Sequence, residues 1–181
     1  AVVRARWSGI SRGTERIVFQ GCVPESEYER MRCPYQEGGF GFPIKYGYAL
    51  VGHREDLGAE GEPAAVFALH PHQERICIDE NALFPLPAGL PPRRGILAAN
   101  METALTAVWD AAVGPGDRVL VVGAGVIGLL TAYVAARIIG TSVTAVDINP
   151  ALAEITRGLG VRFAETADAP TDQDIVFHAS A

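Results

Sequence analysis

A glycine pattern restricts the fold of this chain more than any other feature. Gly123, Gly125 and Gly128 are spaced as Gly-x-Gly-x-x-Gly, directly after the apolar run 119–122. Glycine makes up 20 of 181 residues, so the spacing alone would be a weak signal. Its context is specific, because a helix is predicted to begin within the pattern and an acidic residue, Asp147, lies 24 positions after Gly123. The pattern therefore predicts a strand, a turn, a helix and a second parallel strand.

These positions suit the binding of a dinucleotide pyrophosphate. Gly123 permits a tight turn, Gly125 lets the backbone approach the phosphates, and Gly128 lets the following helix pack closely on the sheet. Amide groups at the start of that helix, those of Val126 and Ile127 among them, are expected to bind the pyrophosphate. A helix N-terminus carries unpaired N–H groups and a partial positive charge, so the loop needs no lysine.

Asp147 predicts which dinucleotide is bound. It ends the second apolar strand, where a carboxylate can accept hydrogen bonds from the adenosine ribose hydroxyls. A 2′-phosphate would meet this negative charge, so NAD is favoured and NADP is less favoured. The alternative is a Rossmann-like sheet that binds another adenosine ligand, such as FAD or a methyl donor, or that binds no ligand.

The second half of the chain alternates between helix and strand periods. We predict a helix over 96–113, a strand at Arg118–Val122, a helix over 126–139 and a strand at Ser142–Val146. Asn149 is expected to cap a further helix that begins with Pro150, and two strands follow at 161–164 and 174–177. This order predicts a doubly wound parallel sheet of the α/β class.

The first half is rich in glycine, proline and short β-prone runs, among them 16–19, 48–51 and 65–69. Frequent glycine and proline between short β-prone runs indicate irregular β structure. The N-terminal residues are interpreted as part of a strand that begins before Ala1. The proline-rich run 84–92 is incompatible with a central strand or a helix interior and is interpreted as a connection between two units. We therefore predict domains at 1–95 and 96–181.

Composition excludes several classes of partner. The formal net charge is -6, so the chain offers no basic field for nucleic acid or for an anionic membrane surface. The apolar run 119–136 resembles a membrane span, but its glycine cluster argues for a strand that turns into a helix. Three cysteines are too few for a disulfide framework, which favours the reducing cytoplasm. A small-molecule substrate is the expected partner.

Four segments of the chain resemble the medium-chain dehydrogenase/reductase superfamily, which contains the zinc-type alcohol dehydrogenases. They are 8–15 (Ser-Gly-Ile-Ser-Arg-Gly-Thr-Glu), 45–52 (Lys-Tyr-Gly-Tyr-Ala-Leu-Val-Gly), 101–105 (Met-Glu-Thr-Ala-Leu) and 114–117 (Gly-Pro-Gly-Asp). The resemblance implies a GroES-like β domain followed by a Rossmann domain, and hydride transfer between a nicotinamide cofactor and an alcohol or carbonyl substrate. The first segment is similar to the branch of bacteriochlorophyllide dehydrogenases, which oxidise a hydroxyethyl side chain, whereas Ala49 departs from that branch.

The residues at the superfamily's zinc positions differ from the usual ligands. Zinc members carry a cysteine just before Thr14, a His-Glu pair at 48–49 and a further ligand near Ala99. Ser11 or Arg12 replaces the thiolate here, and positions 48–49 are tyrosine and alanine, which are not usual zinc ligands. The four cysteines of a structural zinc site are also absent from the sequence. We therefore expect no catalytic zinc.

Other histidines offer a weaker route to a metal site. His53, His70 and His72 are available, but the last two flank a proline and are expected to lie on the surface. Glu102 could act as a ligand or base, although a structural hydrogen bond within its helix is favoured. His178 follows a strand and is expected near the carboxyl edge of the sheet, where cofactors bind. A structural role at the end of the strand is favoured over a functional one.

Hydride transfer without zinc still needs a group that handles the alcohol proton, and Thr14 and Tyr48 are the candidates. Thr14 matches the position of a hydroxyl proton relay in the superfamily. Tyr48 occupies the place of a lost metal ligand and would face the nicotinamide by analogy. Alternatively, and with equal weight, the ring of Tyr48 only fills the space that the metal ion occupies in zinc members. The resemblance also implies a cofactor contact from Thr103.

The segment from Arg118 to Ala181 has 64 residues, about half of what six strands and their helices need. We therefore expect a fragment of a longer oxidoreductase, with a truncated Rossmann domain and an incomplete first domain. Two alternatives to turnover remain: a dinucleotide-binding protein without turnover, and an inactive piece of such an enzyme. The longer protein is expected to form a homodimer.

Overall fold

The computed structural model describes residues 1–56 and 65–180. The chain divides into two compact units, Ala1–Ala99 and Asn100–Ala181. The domain boundary predicted after residue 95 lies close to this division and remains a prediction. Each unit is described by itself below.

The described residues of the first unit form two antiparallel sheets and a short α-helix. Its elements are β1 (Val2–Ser8), α1 (Thr14–Phe19), β2 (Glu37–Gly38), β3 (Ile44–Lys45), β4 (Leu50–Arg54), β5 (Ala65–Ala68), β6 (Arg75–Cys77) and β7 (Phe84–Pro85). The larger sheet has the strand order β6-β1-β4-β5-β7, and β2 pairs with β3. Val3, Leu50 and Ile76 are among the buried residues of its core. Burial of these apolar side chains is the main force that holds the unit together.

The helix α1 corrects the prediction of β structure for the run 16–19. Two side chains stabilise the helix start: the Ser11 hydroxyl accepts from the Thr14 N–H at 3.2 Å, and the Glu15 carboxylate accepts from the Ser11 N–H at 2.9 Å. Val18 is buried in a small apolar cluster. β-branched residues disfavour helix only weakly, so capping and burial together override that preference.

The proline-rich run does not connect the units as predicted. Phe84 and Pro85 form β7, which pairs with β5 at the edge of the first unit's sheet. An edge strand needs hydrogen-bond donors on one side only, which is why it accommodates proline. The sequence argument against a central strand in this run is therefore confirmed, while the interpretation as a linker is wrong.

The second unit is a parallel sheet with helices. Its elements are β8 (Arg118–Val122), α3 (Val126–Ala135), β9 (Ser142–Val146), α4 (Ala153–Gly158), β10 (Arg162–Ala164) and β11 (Ile175–His178), preceded by α2 (Ala98–Asp110), which begins at the end of the first unit. The strand order is β10-β9-β8-β11 with every pair parallel. Val119, Val121, Ala132 and Ala145 are fully buried in its core.

The strand order of this sheet reverses at β8. The chain passes from β8 to β9 and β10 on one side and then returns to place β11 on the other side. Ligands of open α/β sheets bind where the strand order reverses in this way. The glycine pattern directly follows β8 and therefore lies at that point of the sheet.

Most elements of the second unit are confirmed, with differences at helix ends. β8 and β9 have the predicted bounds, whereas α3 ends at Ala135 rather than near Ile139. The helix predicted over 96–113 is divided into a 3-10 segment, Pro92–Leu97, and α2. Asn149 caps as expected, since its Oδ1 accepts from the Ala151 N–H at 3.1 Å. The turn that it caps is a 3-10 segment that leads into α4.

Three further 3-10 segments lie at Glu25–Glu27, Glu80–Ala82 and Thr166–Asp168. The apolar run 119–136 is divided between β8 and α3, as the glycine pattern indicated. Across residues 1–56 and 65–180, no helix has the length and apolar character that crossing a bilayer requires.

Candidate functional site

The glycine loop after β8 tolerates side chains poorly at its first and third glycines. Gly123 has a φ of +99°, and a Cβ there would lie 2.6 Å from the backbone nitrogen of Ser180. A Cβ on Gly128 would lie 1.8 Å from the carbonyl oxygen of Gly123. At Gly125, by contrast, no other heavy atom of the described residues lies within 4 Å of the Cβ position. The loop is therefore closely packed behind and open in front, as a pyrophosphate cradle requires.

The helix α3 begins directly after this loop. Gly125 is its N-cap residue, and no side chain in the described part of the chain caps it. The amide groups of the first turn, including those of Val126 and Ile127, therefore have no intrahelical acceptor. Val126 is 47% exposed. This end of α3 suits an anionic group, and contacts from these two amides to a cofactor remain a prediction.

Asp147 has a structural role that the sequence did not reveal. One carboxylate oxygen accepts from the Ala124 N–H at 2.8 Å, and the other accepts from the Asn149 N–H at 2.8 Å. The side chain therefore ties the end of β9 to the glycine loop. Each carboxylate oxygen has two lone pairs, so a ribose hydroxyl can still donate to Asp147.

Three other candidates of the second unit occupy different places. His178 ends β11 in register with Val122, which puts it at the carboxyl edge, and its Nε2 lies 3.1 Å from the Ser180 hydroxyl. Thr103 and Glu102 are exposed on α2. The cofactor contact expected of Thr103 remains a prediction.

In the first unit, the structure brings Thr14 and Tyr48 to the same cavity. Both side chains line a space of about 390 Å³. The other lining residues include Arg30, Met31, Arg32, Cys33, Tyr46 and Leu69. The two residues are 34 positions apart in the sequence, so only the fold places them together. The walls are largely apolar, with two cationic side chains.

Two ionisable groups of this cavity are held in their neutral forms. Burial raises the pKa of the Cys33 thiol, an effect that a hydrogen bond with the backbone of Gly47 partly offsets. Burial also raises the pKa of Tyr46 to about 12, and the Tyr46 hydroxyl donates to the carbonyl oxygen of Met31. Neither group is ionised at neutral pH, so neither provides a ready anionic base.

The expectation of surface histidines at 70–72 is wrong for His70. This residue is 6% exposed, and its ring stacks on Tyr35 with centroids 5.1 Å apart. Its Nδ1 lies 3.0 Å from the Pro71 carbonyl oxygen, a hydrogen bond that compensates for burial. His72 is half-buried against Glu15, and His53 is half-buried on β4.

The residues at the superfamily's zinc positions do not form a ligand set. The Ser11 hydroxyl is engaged with the Thr14 backbone, and Ala49 is a buried alanine. Within residues 1–56 and 65–180, no three His, Cys, Asp or Glu side chains lie close enough together to hold a metal ion. Serine and alanine at these positions are not usual zinc ligands, and the absence of a catalytic zinc remains a prediction.

The second unit matches a known protein family. The sequence model of the family "Alanine dehydrogenase/PNT, C-terminal domain" matches residues 97–177. This span contains every strand of the parallel sheet except the last residue of β11. The match supports a dinucleotide-binding domain.

Solved structures resemble the chain over both units. The quinone oxidoreductase of Thermus thermophilus, whose complex with NADPH is known, is 25% identical with a TM-score of 0.73, over 97% of this chain and 56% of that one. The alcohol dehydrogenase TADH of Thermus sp. ATN1 is 20% identical with a TM-score of 0.72, over 100% and 63%. A protein of Sinorhizobium meliloti 1021 described as a zinc-binding dehydrogenase, bound to NADP, is 17% identical with a TM-score of 0.76, over 99% and 62%.

The chain therefore spans between 56% and 63% of the length of these structures. Their likeness establishes the fold, an antiparallel β part followed by a Rossmann-like parallel sheet. The similarity to bacteriochlorophyllide dehydrogenases remains a prediction. Membership of the medium-chain dehydrogenase/reductase superfamily and an oxidoreductase activity remain predictions.

Proposed function

We propose that the chain is part of an NAD-dependent oxidoreductase that transfers a hydride between the nicotinamide ring and an alcohol or carbonyl substrate, without catalytic zinc. One observation carries the proposal: an open glycine loop leads into an uncapped helix at the point where the strand order reverses, with Asp147 bonded to that loop. This arrangement suits a dinucleotide. We also propose that the first unit is a GroES-like β domain.

The cofactor preference follows from the charge of Asp147. When bound, the nicotinamide ring supplies or accepts the hydride, and the protein binds and orients it. The amides of α3 would hold the pyrophosphate, and Asp147 would accept from the ribose hydroxyls. A 2′-phosphate would be repelled by the same carboxylate, so we propose NAD, although two of the similar structures are known with NADPH or NADP.

The first unit would supply the proton chemistry. Alcohol oxidation releases a proton and carbonyl reduction consumes one, and a positioned hydroxyl can pass it on. Thr14 and Tyr48 are the hydroxyl-bearing candidates of the cavity, since Tyr46 is already bonded to Met31. If the ring of Tyr48 only fills space, it shapes the cavity and takes no part in proton transfer.

Turnover with a series of alcohols and ketones tests this proposal, together with NAD and NADP titration and elemental analysis for zinc. Thr14→Val and Tyr48→Phe keep the shape of each side chain and remove the hydroxyl. Tyr28→Phe is the matched control, because Tyr28 packs against Phe40 and does not line this cavity. We expect each test variant to lose about 10²-fold or more in kcat, and the control to retain activity.

Other results would contradict parts of the proposal. Stoichiometric zinc would overturn the metal-free mechanism, and unchanged kcat in both variants would overturn their catalytic role. Saturable NAD binding without turnover, in a protein extended beyond Ala181, would favour a binding protein without catalysis.

We also propose a cytoplasmic protein that acts on a small molecule and binds neither nucleic acid nor membrane. Cys22 and Cys77 are exposed and Cys33 is buried, all as free thiols, which suits a reducing compartment. The net charge of -6 disfavours anionic polymers. A homodimer of the longer protein remains a prediction.

A further inference from the structure

His72 lies in a hydrogen-bonded chain that links it to Glu15 and Ser8. Its Nε2 lies 2.6 Å from a carboxylate oxygen of Glu15, and its Nδ1 is hydrogen-bonded with the Ser8 hydroxyl. The second oxygen of Glu15 accepts from the Ser11 N–H, which fixes the carboxylate. The His72 side chain is 32% exposed and that of Glu15 is 11% exposed. The imidazole is thus held on both sides while it stays accessible to water.

This chain touches the residues next to both proposed catalytic groups. Glu15 directly follows Thr14 in α1. The His72 backbone N–H donates to the Tyr46 carbonyl oxygen at 3.2 Å. Its ring packs on Gly47, where φ is +124° and a Cβ would lie 2.8 Å from the ring atoms, so only glycine leaves room for the imidazole there. His72 therefore connects the start of α1 to the backbone that precedes Tyr48.

The Ser8 hydroxyl has two acceptors and only one hydrogen. It lies 3.2 Å from the carbonyl oxygen of Ala49, the residue after Tyr48, and it is also bonded to His72. A neutral imidazole that donates from Nε2 to Glu15 leaves Nδ1 as an acceptor, so Ser8 donates to His72. An imidazolium donates from both nitrogens, and Ser8 is then free to donate to Ala49. Gain of one proton therefore moves a hydrogen bond onto the backbone beside Tyr48.

We propose that His72 is a positioning residue for Thr14 and Tyr48, and that its protonation switches the Ser8 hydrogen bond between His72 and the Tyr48 segment. The inference rests on the proposed function, because the positioned pair is the proposed catalytic pair. It differs from a purely structural cap, which would fix Glu15 equally well in either protonation state of His72.

Charged and titratable groups bonded to His72 or to its chain neighbours include Glu15, Lys45 and Tyr46. Glu15 is the carboxylate in direct contact with the imidazole. Lys45 donates to the side chain of Gln73, the next residue along the chain, and is ion-paired with the carboxylate of Glu37. Tyr46 and Cys33 have raised pKa values and remain uncharged at neutral pH. The proposed switch therefore places the exchanged proton on the imidazole of His72.

Two variants separate the switch from the fold. His72→Gln removes the titrating group, and Ser8→Ala keeps the imidazole but removes the switching hydroxyl. His53→Gln is the matched control, since it replaces another half-buried histidine, which lies on β4. The readouts are kcat and KM across about pH 5 to 8, where histidine titrates, and the NMR signals of the Tyr48 ring and Thr14 methyl over the same range.

We expect His72→Gln to lower kcat about tenfold to a hundredfold, as a small misplacement of catalytic groups does, with KM for the dinucleotide changed less than about twofold. It should also abolish the pH-dependent shift of the Tyr48 and Thr14 signals, and Ser8→Ala should reduce that shift for Tyr48. A wild-type protein in which neither signal follows the titration of His72 overturns the inference. So does a His72→Gln variant whose signals and pH profile match those of wild type.

The NMR readout separates this inference from the proposed function. Shifts that depend on His72 and Ser8 support the switch even if no alcohol or ketone is turned over, a result that would count against the oxidoreductase proposal alone. Turnover with pH-independent signals would support the enzyme and overturn the switch.

Discussion

Replacement of Asp147 by alanine separates the structural role of this carboxylate from its proposed role in cofactor binding. The side chain accepts hydrogen bonds from the backbone N–H groups of Ala124 and Asn149, each at 2.8 Å. Alanine removes both acceptors. The two donors differ in their surroundings, because Ala124 is fully buried and Asn149 is exposed.

That difference sets the expected size of the effect. An exposed N–H group at Asn149 can bond to water instead, so its loss costs little. The buried N–H group of Ala124 is left without a partner, which costs about 1–3 kcal/mol of the free energy of unfolding. Asp147→Asn keeps one carbonyl acceptor, so we expect a smaller loss of about 1 kcal/mol.

Urea unfolding measures this cost, and titration with NAD measures the second role. Loss of a charged acceptor for a ribose hydroxyl should weaken NAD binding by about 1.5–3 kcal/mol, roughly a tenfold to a hundredfold rise in Kd, and NADP binding should suffer less. Asp168→Ala, an exposed carboxylate of the same unit, is the control. An Asp147→Ala protein within about 0.5 kcal/mol of wild-type stability would refute the structural reasoning. Unchanged NAD affinity would refute the ribose contact.

Three further predictions concern packing and pH. Gly128→Ala places a Cβ 1.8 Å from the Gly123 carbonyl oxygen, so we expect NAD affinity to fall at least about tenfold and the Tm to drop, as titration and calorimetry would measure. Hydrogen bonds from Arg118 lower the pKa of Asp174 to about 2, below the value of about 3.9 in unfolded chains. This carboxylate therefore stabilises the fold above about pH 4, its contribution is lost as the pH falls towards 2, and Asp174→Asn should flatten that part of the acid unfolding curve. Burial raises the pKa of Tyr46 to about 12, so ionisation favours the unfolded chain between about pH 10 and 12, and Tyr46→Phe should reduce the alkaline loss of stability in the same assay.

Local patterns predicted the second unit well. β8 and β9 are short apolar runs bounded by turn residues, and the glycine loop between β8 and α3 follows from residue spacing alone. The Asn149 cap is likewise a local effect of one side chain on the next two residues. These features depend on residues that are close together in the chain, which is why local sequence patterns predict them.

Features that depend on distant residues were not predictable in the same way. The run 16–19 has β-branched residues, yet the Ser11 and Glu15 side chains make it helical. His72 and Glu15 are 57 positions apart, and nothing in either segment signals their contact. The hydrogen bond between Asp147 and the glycine loop joins residues 23 positions apart. The sequence pattern predicted only a ribose contact for this carboxylate.

The cavity that Thr14 and Tyr48 share could only be inferred from the superfamily resemblance. Neither residue has a local pattern that identifies it as functional: Thr14 begins α1, and Tyr48 lies in the loop before β4. Their meeting depends on how α1 and the segment before β4 pack, which the periodicity of the sequence does not encode.

Calorimetric titration of the protein with NAD and NADP tests the central claim most directly, because the glycine loop, the end of α3 and Asp147 all contribute to dinucleotide binding. We predict saturable binding of one dinucleotide per chain, with NAD bound more tightly than NADP. No saturable binding of either dinucleotide would contradict the proposed function, and tighter binding of NADP would contradict the role assigned to Asp147.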